Sequence, residues 1–275
     1  MIVKNRDRET PTFANINLLG KCNADCFFCL GKDIEEELSK HDQTKIHFSE
    51  WKNFQDFVLL CEGNGIKKIY ITGQNVDSLQ YSYLQELIDY LQACAFQVGL
   101  RTNGVLALQK MDTINSCDLS IGYSIHTLES DILPSIWGKT PMPDWEQIIP
   151  KTTNPRVAIV ITEQTEDEFF DIVRYVSSFP NVRYIQARRI STETRYEELK
   201  PHIEAYERVF KRVQVWYPKI EPDFYLAQRF KIAFDKEVLF WRTVETSVNS
   251  FNYFTDGTVS DEYFIVEGYM NHKES

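Results

Sequence analysis

The fold follows from the stretch T-F-A-N-I-N-L-L-G-K-C-N-A-D-C-F-F-C, residues 12–29, in which a strand signal runs directly into three cysteines. Residues 12–19 alternate and are rich in β-forming residues, which predicts a strand. Cys22, Cys26 and Cys29 follow in the spacing C-x3-C-x2-C. Three thiolates on one short loop can hold three corners of an iron–sulfur cubane, which leaves the fourth iron open to a ligand from outside the chain.

Strand and helix signals alternate after this stretch. Five further strands are indicated, at residues 68–72, 97–102, 118–126, 156–162 and 182–188. Helical spacing of apolar residues fills the intervals and ends in a long helix at 196–213. Strand–helix units of this length predict an α/β protein with a parallel sheet and right-handed crossovers. We expect a partial (β/α)6 barrel.

The pattern changes after the long helix. Residues 224–234 could form one more helix, and residues 238–245 read as a strand. Two β-rich segments, 250–254 and 259–265, flank an Asp-Gly pair, which is a good hairpin signal. The expected division of the chain has three parts: a lead-in at residues 1–11, the barrel at 12–213 and a C-terminal β-rich cap at 214–275.

The cysteine spacing, followed by these strand–helix units, resembles the radical S-adenosylmethionine superfamily over residues 12–190. The resemblance implies that Cys22, Cys26 and Cys29 bind a [4Fe–4S] cluster and that the amino and carboxylate groups of S-adenosylmethionine chelate the open iron. It implies reductive cleavage of S-adenosylmethionine to a 5′-deoxyadenosyl radical, which abstracts hydrogen from a bound substrate. A one-electron reductant, flavodoxin or ferredoxin, is the partner that this chemistry implies.

The same resemblance assigns cofactor contacts near the cysteines. Phe28 stands where the family usually has an aromatic that packs near the adenine. Gly73 and Gln74 end the second strand, where the family often has Gly-Gly-Glu against the methionine amine; Thr72 replaces the first glycine and Gln74 the glutamate. A glutamine carbonyl still accepts a hydrogen bond from an ammonium, without charge assistance. A plain strand-to-loop turn is the alternative.

Three more strands offer candidates at the same rim. Alternation in the fourth strand points Ser124 and His126 into the barrel at its C-terminal end. By resemblance, Ser124 is a candidate for the ribose or carboxylate of the cofactor, and His126 either contacts substrate or makes a structural hydrogen bond. Arg188 of the sixth strand, or Arg189 if the register shifts by one, points inward as a partner for a carboxylate. Thr102 ends the third strand, where an Asn-Gly turn is the competing explanation.

Other roles for the cysteines are weaker. A structural zinc would need a fourth ligand, which His41 or His47 could supply, but zinc sites usually have two close cysteine pairs and there is no second pair. Cys61, Cys94 and Cys117 stand singly and read as core thiols. No cysteine follows Cys117, so we expect no auxiliary cluster in the C-terminal part.

The substrate stays open between two classes. One is a small polar metabolite or nucleoside, and the other is a residue within a peptide. The lack of auxiliary cysteines and of an added leader-binding domain favours the small molecule. A zinc- or cluster-binding protein without turnover is the alternative from outside the enzymes.

Composition bounds the partners and the compartment. The chain has 275 residues and a formal net charge of −10, which repels a long phosphate backbone and makes bulk nucleic acid an unlikely ligand. The first ten residues are polar, and no apolar run reaches the roughly 18 residues of a membrane span. Six cysteines without a secretory signal predict thiols or metal ligands in a reducing compartment, so we expect a cytoplasmic enzyme.

Overall fold

The computed structural model describes residues 11–224, 226–234, 236–242, 250–261 and 269. Within these residues the chain forms eleven strands of one sheet: β1 (Phe13–Leu19), β2 (Lys68–Gln74), β3 (Gln97–Thr102), β4 (Ile121–Ser124), β5 (Pro155–Val160), β6 (Ile185–Arg188), β7 (Lys219–Phe224), β8 (Ala227–Ala233), β9 (Lys236–Trp241), β10 (Ser250–Phe254) and β11 (Val259–Ser260). The α-helices of the described residues are α1 (Glu35–Leu38), α2 (Phe54–Gly63), α3 (Leu84–Ala93), α4 (Met111–Asn115), α5 (Leu133–Trp137), α6 (Trp145–Lys151), α7 (Phe169–Ser177) and α8 (Tyr196–Trp216).

The first six strands lie side by side in chain order. Each pairs in parallel with the next, from β1 to β6, and at least one α-helix lies in the chain between each strand and the next. The prediction of an α/β protein built on a parallel sheet is therefore confirmed. The carboxyl ends of all six strands meet at one edge of the sheet, and the loop that carries the three cysteines leaves β1 at that edge. Closure into a (β/α)6 barrel stays a prediction.

The C-terminal strands continue this sheet at both of its sides. β10 pairs in parallel with β1 and carries β11 beyond it, while β9 pairs in parallel with β6 and carries the β8–β7 hairpin. Edge strands expose unpaired N–H and C=O groups, and these additions satisfy those of β1 and β6. A separate cap over the barrel is therefore not confirmed. The domain boundaries stay predictions, and residues 1–10 of the lead-in lie outside the described residues.

One expected element of the tail is wrong. Residues 224–234 do not form a helix; their described part belongs to the β7–β8 hairpin. Pairing with β9 favours a strand over a helix in this segment. It buries Phe230 against Phe240 on one face and lets Arg229 pair with Glu237 on the other. The Asp-Gly hairpin between β10 and β11 is confirmed. The ends of the expected strands at 238–245 and 259–265, residues 243–245 and 262–265, lie outside the described residues.

The sheet has one apolar and one polar face. Alternate residues such as Ile16, Ile71 and Leu100 pack with the helices in one continuous hydrophobic cluster. The pairing register puts the intervening residues on the opposite face. We call this the polar face, and its members include Asn15, Asn17, Tyr70, Thr72, Gln74, Arg101, Ser124, Arg156, Gln186, Arg188 and Asn252.

Among the described residues, none of the helices has the length and apolar character that a membrane crossing requires.

Candidate cluster-binding site

The cysteine loop, residues 22–29, holds three half-buried cysteines at the carboxyl edge of the sheet. Burial raises the pKa of Cys22 to about 12, and burial raises the pKa of Cys26, with a further contribution from the charges of Cys29 and Cys22. Burial also raises the pKa of Cys29. Buried thiolates this close repel one another, so a bound cationic group is what would stabilise all three.

Hydrogen-bond donors surround the sulfurs. The backbone N–H of Ala24 and the Nδ2 amide of Asn103, at 3.8 Å, donate to Cys22 Sγ. The backbone N–H groups of Gly31 and Asn75 donate to the sulfur of Cys29. Hydrogen bonds of this kind stabilise the thiolates that bind a cluster and adjust the cluster's reduction potential. The donor set therefore fits an iron–sulfur cluster.

A single metal ion fits less well. Among the described residues, no three His, Cys, Asp or Glu side chains converge as one ion requires. The thiolates of a cubane bind separate irons, so they need not converge. His47, offered above as a zinc ligand, faces Ser49 at 2.7 Å and Glu86 at 3.4 Å instead. His41 lies 3.6 Å from Glu37.

The start of the cysteine loop is fixed to the loops after β2 and β3. Gln80 Oε1 accepts from the backbone N–H of Asn23 at 2.9 Å, and its Nε2 donates to the carbonyl of Lys21 at 3.2 Å. Asn103 Nδ2 donates to Asn23 Oδ1 at 2.8 Å. Sequence reasoning missed Gln80, although the D-x-x-Q spacing from Asp77 is a capping-box signal that could have found it.

The middle of the cysteine loop is fixed to α5. The N–H of Asp25 donates to the carbonyl of Trp137 at 2.9 Å, and the N–H of Phe27 to that of Ile136 at 3.2 Å. Thr140 Oγ1 donates to the carbonyl of Asn23 at 2.8 Å. Helix α5 was not predicted, although a proline in its first turn is a helix-start signal.

The two phenylalanines of the loop point to different sides. Phe28 meets His126 edge-on, with ring centroids 5.0 Å apart, and Phe27 packs against His202 of α8 at 4.7 Å. The rings themselves are 5.2 Å apart in a T-shaped pair. Edge-to-face pairs are worth about 0.5–1.5 kcal/mol each beyond the area they bury. Both aromatics therefore orient the third cysteine, and the adenine contact of Phe28 stays a prediction.

The end of β2 requires a glycine at position 73. A Cβ there would lie 1.7 Å from the carbonyl oxygen of Val76, so no other residue fits. The chain just after the cysteine loop packs directly on this turn, because a Cβ on Gly31 would lie 2.8 Å from the backbone nitrogen of Asn75. Gln74 points along the polar face and donates to Asn17 Oδ1 at 3.1 Å. Its methionine contact stays a prediction.

The side chain of Thr102 makes hydrogen bonds within the protein. Its hydroxyl donates to the carboxylate of Asp77, with O···O distances of 2.9 and 3.0 Å, and accepts from the N–H of Gly104 at 3.0 Å. Asp77 also accepts from the backbone N–H of Asn103 at 2.6 Å, and burial raises its pKa. These bonds join the ends of β2 and β3 and place Asn103 beside Cys22. A cofactor contact of Thr102 stays a prediction; Asp77 was missed.

His126 makes the structural hydrogen bond considered for it. It is fully buried, and its Nδ1 accepts from the N–H of Val160 at 3.0 Å. Burial, followed by the charge of Arg188, lowers the pKa of His126 to about 3, so the ring is neutral at pH 7 with its proton on Nε2. Arg188 thus lies on the polar face beside His126, whereas Arg189 pairs with Glu207 at 3.5 Å. The register with Arg189 inward is not seen.

Two arginines of the polar face were missed. Arg156 lies over Gly122, with a guanidinium nitrogen 2.8 Å from where a Cβ would be, and donates to Gln186 Oε1 at 2.8 Å. Arg101 lies 5.4 Å from the ring centroid of Tyr70, and its buried Nε has no hydrogen-bond partner among the described residues. Both stand at inward positions of strands, so strict alternation could have found them.

The remaining cysteines lie apart from the site. Cys61 is buried, and Cys94 and Cys117 are half-buried against the hydrophobic cluster behind the sheet. Burial raises the pKa of Cys61 and of Cys117 to about 12. Their surroundings agree with core thiols.

The fold of this chain is similar to that of SuiB, which has been solved bound to S-adenosylmethionine. SuiB of Streptococcus suis matches with a TM-score of 0.65 and 12% identity over 93% of this chain, and a structure of SuiB bound to precursor peptide SuiA matches with a TM-score of 0.66 and the same identity. This chain spans about 61% of the SuiB chain. At this identity the likeness shows the fold alone. A structure of TYW1 matches with a TM-score of 0.47, too low to support an argument.

No protein-family model matches the chain, and no curated protein matches it by sequence.

Proposed function

We propose that the chain is a radical S-adenosylmethionine enzyme that binds a [4Fe–4S] cluster through Cys22, Cys26 and Cys29. The observation that carries the proposal is the C-x3-C-x2-C loop, surrounded by N–H donors, at the carboxyl edge of a sheet that shares the fold of SuiB. The cluster and S-adenosylmethionine supply, when bound, the electron and the 5′-deoxyadenosyl radical for hydrogen abstraction.

The chain's own residues would hold the cofactor along the carboxyl edge of the sheet. Arg188 is the candidate partner for its carboxylate, because a guanidinium forms paired hydrogen bonds with that group. Gln74 and the backbone beside Gly73 are candidates for its amine, and Ser124 for its ribose. Phe28 is the candidate for its adenine. His126 and Thr102 act indirectly. His126 packs against the ring of Phe28, and Thr102 donates a hydrogen bond to Asp77.

The polar face favours a small polar molecule as the substrate. Arg101, Arg156 and Gln186 lie on it, and Arg101 keeps a buried Nε without a partner among the described residues. A guanidinium in that state is suited to a carboxylate or phosphate group. A small anionic metabolite or nucleotide-like molecule is therefore the first candidate.

A residue within a peptide is the second candidate. SuiB, with which this chain shares its fold, has been solved bound to precursor peptide SuiA. This chain spans about 60% of the SuiB chain in that comparison. This likeness is the observation that supports a peptide substrate.

One experiment tests the proposed chemistry. Protein reconstituted anaerobically with iron and sulfide, then reduced with dithionite or flavodoxin in the presence of S-adenosylmethionine, should yield 5′-deoxyadenosine and methionine. A Cys22→Ala, Cys26→Ala, Cys29→Ala variant is the matched control and should yield neither. If the intact chain binds a full complement of iron and forms neither product, the proposal that it is a radical enzyme is wrong. If it incorporates zinc only, the proposal that it binds an iron–sulfur cluster is wrong.

A second experiment separates the substrate classes. The rate of 5′-deoxyadenosine formation is measured with the dialysable fraction of a cell extract and with the retained fraction. Acceleration by the dialysable fraction, lost in Arg101→Gln, supports a small anionic substrate. Acceleration by the retained fraction that is abolished by prior protease treatment supports a peptide.

A further inference from the structure

Arg195 binds the backbone of the cysteine loop directly. It immediately precedes α8 and donates from Nη1 to the carbonyl of Phe27 at 2.8 Å and from Nη2 to the carbonyl of Cys29 at 2.8 Å. One planar guanidinium therefore holds two carbonyl groups on either side of Phe28. Lysine, with a single ammonium, cannot reproduce this fork.

Asp33 fixes the orientation of Arg195. Its side chain is fully buried, and one of its oxygens accepts from Arg195 Nε at 2.7 Å. It also accepts from the hydroxyl of Thr192 at 3.0 Å and from the backbone N–H of Glu193 at 2.6 Å. Asp33 is thereby satisfied without any contact to the cysteines.

The charges of the pair are arranged with the cation towards the sulfurs. The Nη atoms of Arg195 contact the loop carbonyls, while its Nε pairs with Asp33. Lys32 is a second cation near Cys29, but its ammonium pairs with Asp25 at 2.5 Å at the protein surface. The Lys32 and Arg195 side chains are similarly exposed, at 22% and 17%, and of the two only Arg195 is seen to hold backbone carbonyls of the cysteine loop.

We propose that Arg195, oriented by Asp33, is a positioning residue that holds the cysteine loop in its cluster-binding shape and sets the cluster's reduction potential. The inference rests on the proposed function, since it assigns a role toward the same cluster. Hydrogen bonds and charges around a cluster determine its potential, and residues that orient metal ligands determine how tightly the metal is held.

The test compares Arg195→Gln, Arg195→Lys and Asp33→Asn with Arg208→Gln. Arg208 lies on α8, the helix that Arg195 immediately precedes, and its surface pair with Glu166 leaves its side chain 49% exposed, so it is the matched control. Two quantities are measured on reconstituted protein: the rate at which a chelator removes iron, and the midpoint potential of the cluster. Neither requires a substrate.

Arg195→Gln should release iron roughly 10-fold faster than wild type, the lower end of the effect of residues that orient ligands. Its midpoint potential should fall, because loss of a nearby positive charge destabilises the more negative, reduced cluster. Arg195→Lys should also release iron faster but keep its potential near that of wild type. Asp33→Asn should raise the potential, because it removes a negative charge. Arg208→Gln should match wild type in both.

The outcomes separate the two proposals. If the wild type binds about four irons per chain and both Arg195 variants match Arg208→Gln in iron release and potential, the role of Arg195 is overturned and the proposed function stands. If the wild type binds no iron, the proposed function and this role fall together. Should Arg195→Gln not fold, Arg195→Lys and Asp33→Asn decide, and equal potentials in these two variants overturn the role.

Discussion

The two faces of the central sheet are built from the same strands, yet they follow different physical rules. On the helix-packed face, Ile16, Ile71 and Leu100 are fully buried in one continuous hydrophobic cluster. On the polar face, Arg156 and Gln186 are also buried, but each is held by specific hydrogen bonds. A buried apolar residue needs only a close fit, whereas a buried polar residue needs a partner. The apolar face therefore carries stability and the polar face carries specificity.

The difference between an effect on stability and an effect on activity should be largest in the cysteine loop. Cys26→Ala should abolish formation of 5′-deoxyadenosine, because the cluster loses one of its three protein ligands. The free energy of unfolding of the metal-free protein should change by less than about 1 kcal/mol, since the loop's backbone bonds remain. Product analysis and urea unfolding measure the two effects. Cys94→Ala, half-buried and away from the loop, is the control and should keep its activity.

Neighbouring residues of β2 compare the two faces directly. Ile71→Ala should lower the free energy of unfolding by roughly 2–5 kcal/mol, because it leaves a cavity in the hydrophobic cluster. Thr72→Ala, one position along on the polar face, should change it by less than about 1 kcal/mol. Urea titrations of the two variants make the comparison. Equal losses at both positions would show that the faces do not differ in this way.

The turn after β2 is a steric test of the site. Gly73→Ala would bring a methyl group to 1.7 Å from the carbonyl oxygen of Val76, so the turn beside Gly31 must move. A displacement of about 1 Å in a catalytic site can cost about 100-fold in rate, and we expect a loss of that order in 5′-deoxyadenosine formation. Gly63→Ala, where a Cβ meets no atom within 4 Å, should leave the rate unchanged.

His126 gives the smallest expected effect and one that depends on pH. Its pKa is about 3 in the folded chain and about 6.5 when unfolded, so the folded chain binds fewer protons. Its contribution to stability is fully present above pH 6.5 and is lost as the pH falls towards 3. Between pH 6.5 and pH 5 the loss should be about 2 kcal/mol. Urea unfolding of wild type and His126→Gln at both values measures it; parallel slopes would contradict it.

Local signals predicted most of the elements that carry the site. The strand predicted at residues 97–102 is the observed β3, and the end of α2 falls at the predicted Asn-Gly. Predictions failed where tertiary contacts outweigh local preference. Helix α5 has only five residues, too few for a periodic pattern, and it is stabilised by contacts with the cysteine loop.

The residues of the site also fall into two groups, those that the sequence predicted and those that it did not. The cysteines and the inward position of Arg188 follow from spacing and alternation. Asp77, Gln80 and Arg195 do not, because each acts through contacts with residues far away in the sequence. A side chain such as that of Arg195, between a strand and a helix, carries no periodic signal of its contacts.

The amino-acid sequence by itself determined the parallel α/β organisation and the position of the three cysteines directly after the first strand. Both are local properties, since they depend on alternation, helical spacing and the distance between neighbouring cysteines. Only the tertiary structure decided where the tail goes and what holds the cysteine loop. The tail's strands complete the hydrogen bonding at both sides of the sheet, and the loop is held by residues of α5, of the loops after β2 and β3, and by Arg195 just before α8. Such pairings become visible only when the chain is folded, because they join residues that lie far apart along it.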